Sequence, residues 1–356
     1  MKISQIYLNN FRNFDEISLD FKDNINVLVG KNAVGKTNIL EAIYISLTAN
    51  SFRTVKQEEF IKFEKDFTRG FVKVKENEFE NKISFLYTRD KKKTFKIDDI
   101  KIKSLSELYE FSNVIGFFPD EIKILTESPV FRRNFFDSFI MKSVKDYKQT
   151  LNTYRNVIFR RNMLLRGINI SSYYKEEMNA LTKKAALLCY DIAINRKKCV
   201  DMMNEKINPI HKELANEDLF IEYKSVLSNF SNSKDICLKE ILDKFYQSYK
   251  TDLENKTTNF GVHKENFNFI LNENNAKLFS SQGQKRNIIL SAKLSQKSIF
   301  EKNKSVKPII LLDDLFSELD KDRRYKILEY LSDNQVFITT TDLSFFEKKD
   351  INILEI

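Results

Sequence analysis

Residues 30–37 read GKNAVGKT, the spacing G-x-x-x-x-G-K-[ST]. An apolar run (Ile25, Val27, Leu28, Val29) leads into it, and Ile39, Leu40, Ile43 and Leu47 recur at helical spacing after it. A buried strand, a glycine loop and a helix in that order form the phosphate-binding P-loop. Gly30 and Gly35 let the backbone wrap closely around phosphate oxygens, and the N–H groups of the first helical turn point at the anion. Lys36 supplies a point charge to the β/γ-phosphates, and the Thr37 hydroxyl can ligand Mg²⁺. Only 7 glycines occur in 356 residues, so two in one loop weigh more than they would elsewhere. The context argues against a chance turn and makes Gly30, Lys31, Asn32, Ala33, Val34, Gly35, Lys36 and Thr37 the candidate nucleotide cradle.

A second motif lies roughly 280 residues downstream. Ile309, Ile310, Leu311 and Leu312 run straight into Asp313 and Asp314. Many buried strands end in an acid. Beside a P-loop, however, this is the Walker B arrangement, because ligands bind at the carboxyl ends of parallel strands. Asp313 is expected to hold Mg²⁺ through its water shell, and Asp314 to orient or deprotonate the attacking water. About thirty residues before that strand stands Ser281–Gln282–Gly283–Gln284. In isolation it reads as a helix cap. At this position it falls where ABC-type ATPases carry their signature loop, so Ser281, Gly283 and Gln284 become candidates for the γ-phosphate of ATP held by a second subunit. SELD (Ser317 to Asp320) takes the D-loop position, and Thr339 to Thr341 the switch position.

The remaining chain reads as follows. Ile3 to Leu8 and the alternating DEISLDF are strands, joined by a polar turn that carries Arg12. Residues 69–103 alternate as an antiparallel meander. Tyr147, Leu151, Tyr154 and Ile158 mark one helix. Met178, Leu181, Ala185, Leu188 and Ile192 mark a second, in a register that Cys199 and Met202 continue with Asn195 at a seam position. Leu238, Leu242, Phe245 and Tyr249 mark a third. The expectation is three short helices in an all-α lobe, too short for a coiled-coil arm. The predicted class is α/β: an ABC-type P-loop ATPase head from residues 1–125 and 257–356, with an α-helical lobe, 126–256, inserted.

Composition sets outer bounds. The length allows roughly two domains. A net charge of +9 is read either as lysine-rich bias or as attraction to nucleic acid or an acidic membrane surface. Three cysteines (Cys189, Cys199, Cys237) without metal spacing suggest a reducing compartment. No secretory signal is visible, and no apolar run approaches the ~18 residues of a membrane span. The expected location is cytoplasmic and nucleoid-associated.

Beyond these readings, IYLNNFRNF, GKNAVGKTNILEAIY, SFRT, FFPDEIKILTESPVFRRNFFD, GVHKENFNFILN, SSQGQKR and LLDDLFSELD together resemble the RecF family of bacterial recombination-mediator ATPases, in order and at matching length. The resemblance implies ATP and Mg²⁺ as cofactors and a slow, DNA-stimulated ATPase switch that dimerises on ATP. It also implies binding to duplex or gapped DNA, and RecR and RecO-type partners that favour RecA loading in recombinational repair and replication restart. It puts Arg12 and Asn13 beside the nucleotide. Arg53, Arg132 and Arg133 fall on family-pattern positions and stay open between phosphate or DNA contacts, interface ion pairs and structural arginines. One departure is visible: the family's Gly-x-His-Arg-x-Asp is here Gly261, His263, Lys264 and Asn266. Lys264 keeps the positive charge and Asn266 loses a negative one, so neither a salt bridge nor a DNA contact is carried over to this block, while the ATP site is unaffected. Two rivals stand beside this reading. A transporter subunit has a much shorter Walker A to signature spacing than the about 245 residues here. An OLD-like nuclease-associated ATPase needs an acidic nuclease domain after the head, for which residues 257–356 leave no room.

Overall fold

The computed structural model describes every residue except 77, 112, 169–172, 305–306 and 347–350. Two compact units divide the chain: Met1–Glu121 with Lys293–Ile356, and Ile122–Ala292.

In the first unit a helix, Lys36–Thr48, packs among the strands of two sheets. One sheet is parallel, with strands in the order Asn352–Glu355, Ile25–Val29, Val336–Thr340, Ile309–Leu312, Val114–Phe117. Ile309–Leu312 is buried at every position, as a strand covered on both faces must be. The other sheet is antiparallel, in the order Phe14–Asp20, Lys2–Phe11, Phe67–Glu76, Phe79–Thr88, Lys93–Ile97, Ile100–Lys101. Its inner face supplies Val72, Val74, Ile83, Phe85, Tyr87 and Phe95 to the same core as Ile39, Leu40, Ile43 and Leu47. Each fully buried side chain of this kind contributes about 1.5–3 kcal/mol relative to exposure. The helix is therefore held from both sides. The parallel register aligns Thr340 with Val29 and Leu312 with Ile338, which brings the carboxyl ends of three strands together.

The second unit holds the helices Pro129–Ser143, Tyr147–Leu165, Tyr174–Ala215, Lys234–Gln247 and Tyr249–Asn255. Two expectations change here. The middle helical stripe is not a short helix but one of 42 residues, roughly 60 Å long, running on through Pro209. The unit is also not all-α. Leu219–Lys224 pairs antiparallel with Asn266–Leu271, and a third strand, Asn274–Asn275, completes a small sheet. The alternation of Leu219 and Ile221 with Phe267, Phe269 and Leu271 buries one face of that sheet. The pairing ties residues 266–275 to Leu219–Lys224 within the second unit, and the division between the units falls between Ala292 and Lys293, within the helix Gln282–Lys304. The three cysteines are buried and unpaired, and burial pushes the Cys189 thiol up to about 12. No helix among the described residues is long and apolar enough to cross a membrane.

Candidate nucleotide-binding site

The loop after Ile25–Val29 is shaped by its glycines. Gly35 sits at φ 117°, where L side chains are strained, and a Cβ there would come within 2.4 Å of the Phe14 ring. A Cβ on Gly30 would meet the Ile356 carbonyl oxygen at 2.7 Å. Lys31, Asn32 and Ala33 face solvent, and Ala33 adopts φ 69°. The helix that follows has no side-chain cap and no acid in its first turn. Its first N–H groups and the positive end of its dipole thus face the loop without a competing carboxylate. Lys36 folds back over the loop, its Nζ donating to the carbonyls of Gly30 (2.7 Å) and Lys31 (2.8 Å). Burial lowers the Lys36 pKa from its ordinary value, while the carboxylates of Asp314 and Asp313 draw it back up.

The acid strand reaches this loop directly. Thr37 Oγ1 donates to Asp313 Oδ1 at 2.8 Å. Thr339 Oγ1 donates to the same oxygen at 2.8 Å and accepts from the Asp314 N–H at 2.8 Å. Burial raises the Asp313 carboxyl. The two threonine hydroxyls pull it back, the charge of Asp314 raises it further, and Arg53 lowers it. Asp314 is exposed and sits at φ 50°. The donor set fits the expected groups: a lysine, an uncapped helix start and a glycine cradle suit a phosphate chain. A threonine hydroxyl beside a carboxylate suits Mg²⁺, which takes one or two protein oxygens together with phosphates.

Behind the loop lies a network that sequence reasoning missed. Glu41, fully buried in the P-loop helix, accepts a two-pronged bond from Arg12, with Nε to Oε2 at 2.9 Å and Nη2 to Oε1 at 2.8 Å. Ser51 Oγ donates to Glu41 at 2.5 Å, and Arg53 lies 3.6 Å away. Two nitrogens of the Arg12 guanidinium are thus bonded to the P-loop helix through Glu41. Asn13 does sit against the loop: its Nδ2 donates to the Val34 carbonyl (2.8 Å), and its Oδ1 accepts from Asn38 (2.7 Å). Arg53 closes the chain on Asn38 Oδ1 at 2.7 Å. The available signal was an acid in the middle of a helix whose apolar residues wrap around it.

In the second unit, Ser281 and Gln284 cap each other. The Ser281 N–H donates to Gln284 Oε1 (2.8 Å), and the Gln284 N–H to Ser281 Oγ (3.2 Å), a capping box at the start of Gln282–Lys304. Gln284 Nε2 also donates to Glu217 (2.6 Å). A Cβ on Gly283 would meet nothing within 4 Å, so nothing in its surroundings requires glycine there.

A model of the RecF/RecN/SMC N terminal domain matches residues 2–354. The DNA replication and repair protein RecF of Clostridium acetobutylicum is 35% identical to this chain, covering 100% of it and 98% of that protein. The chain belongs to the RecF family. RecF of Clostridium kluyveri is likewise 35% identical, covering 99% and 96%. A solved structure of the recombination mediator protein RecF with ATP, of the RecFOR pathway, superposes with a TM-score of 0.90 at 31% identity, covering 99% of this chain and 95% of that one. An Smc head bound to the C-winged helix domain of ScpA shares the fold alone, at a TM-score of 0.58 and 14% identity, covering 100% and 94%.

The block in which this chain departs from the RecF pattern is structural. Arg132 is buried and donates to the carbonyls of Ile124 (3.2 Å) and Glu127 (3.1 Å), and its Nε donates to Asn266 Oδ1 at 2.9 Å. The Arg132–Asn266 contact is thus a hydrogen bond to a neutral amide, not an ion pair. Arg133 donates to the Glu265 carbonyl (2.7 Å), and Lys264 is exposed. His263 lies between Tyr154 Oη (2.7 Å to Nδ1) and the Thr258 carbonyl (3.0 Å from Nε2). Burial lowers its pKa from 6.5 to about 4. The folded chain holds this ring neutral, so its contribution is complete above pH 6.5 and is lost as pH falls toward 4, by roughly 1.4 kcal/mol per unit. The expected outcome is that wild type loses more thermal stability than His263→Asn between pH 7 and pH 5. Parallel melting curves for the two would rule His263 out as the cause.

Proposed function

We propose that this RecF-family chain is an ATP-gated DNA-binding ATPase of recombinational repair and replication restart, acting as a switch and not as a metabolic enzyme. The observation that carries the reading is the 2.8 Å bond between Thr37 and Asp313, which joins the P-loop to the acid strand from the far end of the chain. Lys36 and the first turn of Lys36–Thr48 bind phosphate oxygens, and Thr37 with Asp313 would hold Mg²⁺. That ion, when bound, neutralises phosphate charge. Asp314 orients the attacking water and takes its proton. Thr339 keeps Asp313 turned toward Thr37. The ATP named with the solved RecF relative supports the ligand, and the RecFOR pathway named with it supports RecR and RecO-type partners.

The domain division proposed for this function is a head built from the two ends of the chain with a unit inserted between them. Gly283, open to 4 Å, supports the further reading that the signature loop meets the γ-phosphate bound by a second copy. ATP then closes a dimer on duplex or gapped DNA, and hydrolysis releases it, with turnover set by gating. DNA affinity is expected to fall steeply with salt. Ser281→Arg tests the composite site. It is expected to bind ATP with the affinity of wild type but to remain monomeric by light scattering, with hydrolysis reduced at least 10-fold. If Ser281→Arg hydrolyses ATP at the wild-type rate, the nucleotide site is complete within one chain and the dimer reading fails.

A further inference from the structure

A carboxylate that belongs to no motif touches the start of the signature helix. The 42-residue helix Tyr174–Ala215 stops at Asn216, which takes φ 56°, and the chain turns through Glu217 and Asp218 into Leu219–Lys224. The turn is anchored on both sides. The Asp218 N–H donates to Asn272 Oδ1 (2.9 Å), the Asn272 N–H donates to the Asp218 carbonyl (2.9 Å), and Lys212 pairs with Asp218 (2.8 Å). Glu217 Oε1 accepts from Gln284 Nε2 at 2.6 Å, a charge-assisted bond. A second tie lies about two turns further along the signature helix, on the same face. There His211 Nδ1 stands 2.8 Å from Ser291 Oγ, both residues fully buried. His211 Nε2 in turn lies 3.8 Å from Glu217 Oε2.

An amide side chain has a donor end and an acceptor end. The capping box needs the acceptor end of Gln284 at the Ser281 N–H, as found at 2.8 Å. Turned over, the amide would set two donors against each other there, and its oxygen against the Glu217 carboxylate. Glu217 therefore selects the one orientation in which the box closes. In the closed box Ser281 Oγ accepts from the Gln284 N–H (3.2 Å), which leaves the hydroxyl proton for a phosphate oxygen. We propose that Glu217 is a positioning residue for ATP hydrolysis. It holds Gln284 so that Ser281 and the helix start keep the shape that meets the γ-phosphate bound by a second copy. The proposal rests on the composite site proposed above and adds to it a residue from another segment of the chain.

The test measures phosphate release at saturating ATP, dimer formation by light scattering and binding of a fluorescent ATP analogue, all on full-chain variants. Glu217→Ala is expected to turn over about 10-fold more slowly, the low end for a hydrogen bond to a charged group, because Glu217 stays partly in water. It should dimerise only at higher protein concentration, yet bind the ATP analogue with wild-type affinity. Glu217→Gln keeps an acceptor for Gln284 and should stay within about threefold of wild type. Gln284→Ala removes the same bond from the other side and should be slowed at least as much as Glu217→Ala. The double variant Glu217→Ala/Gln284→Ala should be no slower than Gln284→Ala alone, because Glu217 acts only through that amide. A role confined to packing the turn would instead multiply the two losses. The proposal is overturned if Glu217→Ala or Gln284→Ala hydrolyses ATP at the wild-type rate while Ser281→Arg does not. It is equally overturned if Glu217→Gln is as slow as Glu217→Ala, or if the losses multiply in the double variant. Wild-type turnover by Ser281→Arg would remove the composite site itself, and this role of Glu217 with it.

Discussion

Lys36→Met is expected to reduce ATP turnover by about 100- to 1000-fold, the range seen when one preorganised donor to developing phosphate or oxyanion charge is removed. The ammonium is held at 2.7 and 2.8 Å from two loop carbonyls, and burial has already stripped part of its hydration. Little reorganisation is therefore needed when phosphate replaces those carbonyls as its partner. Methionine keeps most of the stem but not the charge, so the melting temperature should stay near that of wild type. Phosphate release at saturating ATP measures the first effect and a thermal melt the second. Turnover within threefold of wild type would mean that Lys36 only buttresses the loop.

Arg196→Met is expected to destabilise the chain by about 3–5 kcal/mol, the cost of breaking a buried ion pair from one side. Arg196 is 2% exposed and donates twice to Asp137, at 2.9 and 2.8 Å. It also donates to Glu265 at 2.7 Å and to the Val262 carbonyl at 2.7 Å. Both carboxylates are buried and accept tyrosine hydroxyls as well, Asp137 from Tyr147 (2.7 Å) and Glu265 from Tyr223 (2.6 Å). Methionine would leave two carboxylates out of water without their cation. For a unit of this size each kcal/mol lowers the melting temperature by about 2–4 °C. Replacing Asp137 and Glu265 by Leu and Met in the same chain should recover only part of the loss, because Tyr147 and Tyr223 then lack acceptors. Urea unfolding of the single and triple variants measures both. A single variant within 1 kcal/mol of wild type would show that water reaches the pair.

The two halves of the molecule were unequally legible. The P-loop shows in eight consecutive residues with the right periodicity on either side, so no distant information is needed. Asp313 shows because four aliphatics ending in an acid are unusual enough once a P-loop is present. The seam of Tyr174–Ala215 was harder. A heptad reading put polar Asn195 inside, whereas Arg196 takes the buried place beside Ile192, Cys199 and Met203. A charged side chain on an apolar stripe looks like an edge until its counterions are known, and these come from two other segments, at Asp137 and Glu265. The strand Leu219–Lys224 is six residues long, and its partner lies more than forty residues away, so neither length nor local pattern betrays it.

Local order thus set the chemistry: which loop takes phosphate, which acid follows which strand, and which serine starts which helix. Those properties depend on neighbours within a turn or a strand, where backbone geometry translates residue order directly into position. Tertiary structure alone decided which groups satisfy one another. Arg12 paired with Glu41, Thr339 joined Thr37 on a single oxygen of Asp313, and four strands lined up Tyr7, Phe71, Ser84 and Lys96. A buried charge must find its counterion wherever the fold supplies one, and sheet register is set by pairing across long loops. Neither leaves a periodic trace in the order of residues.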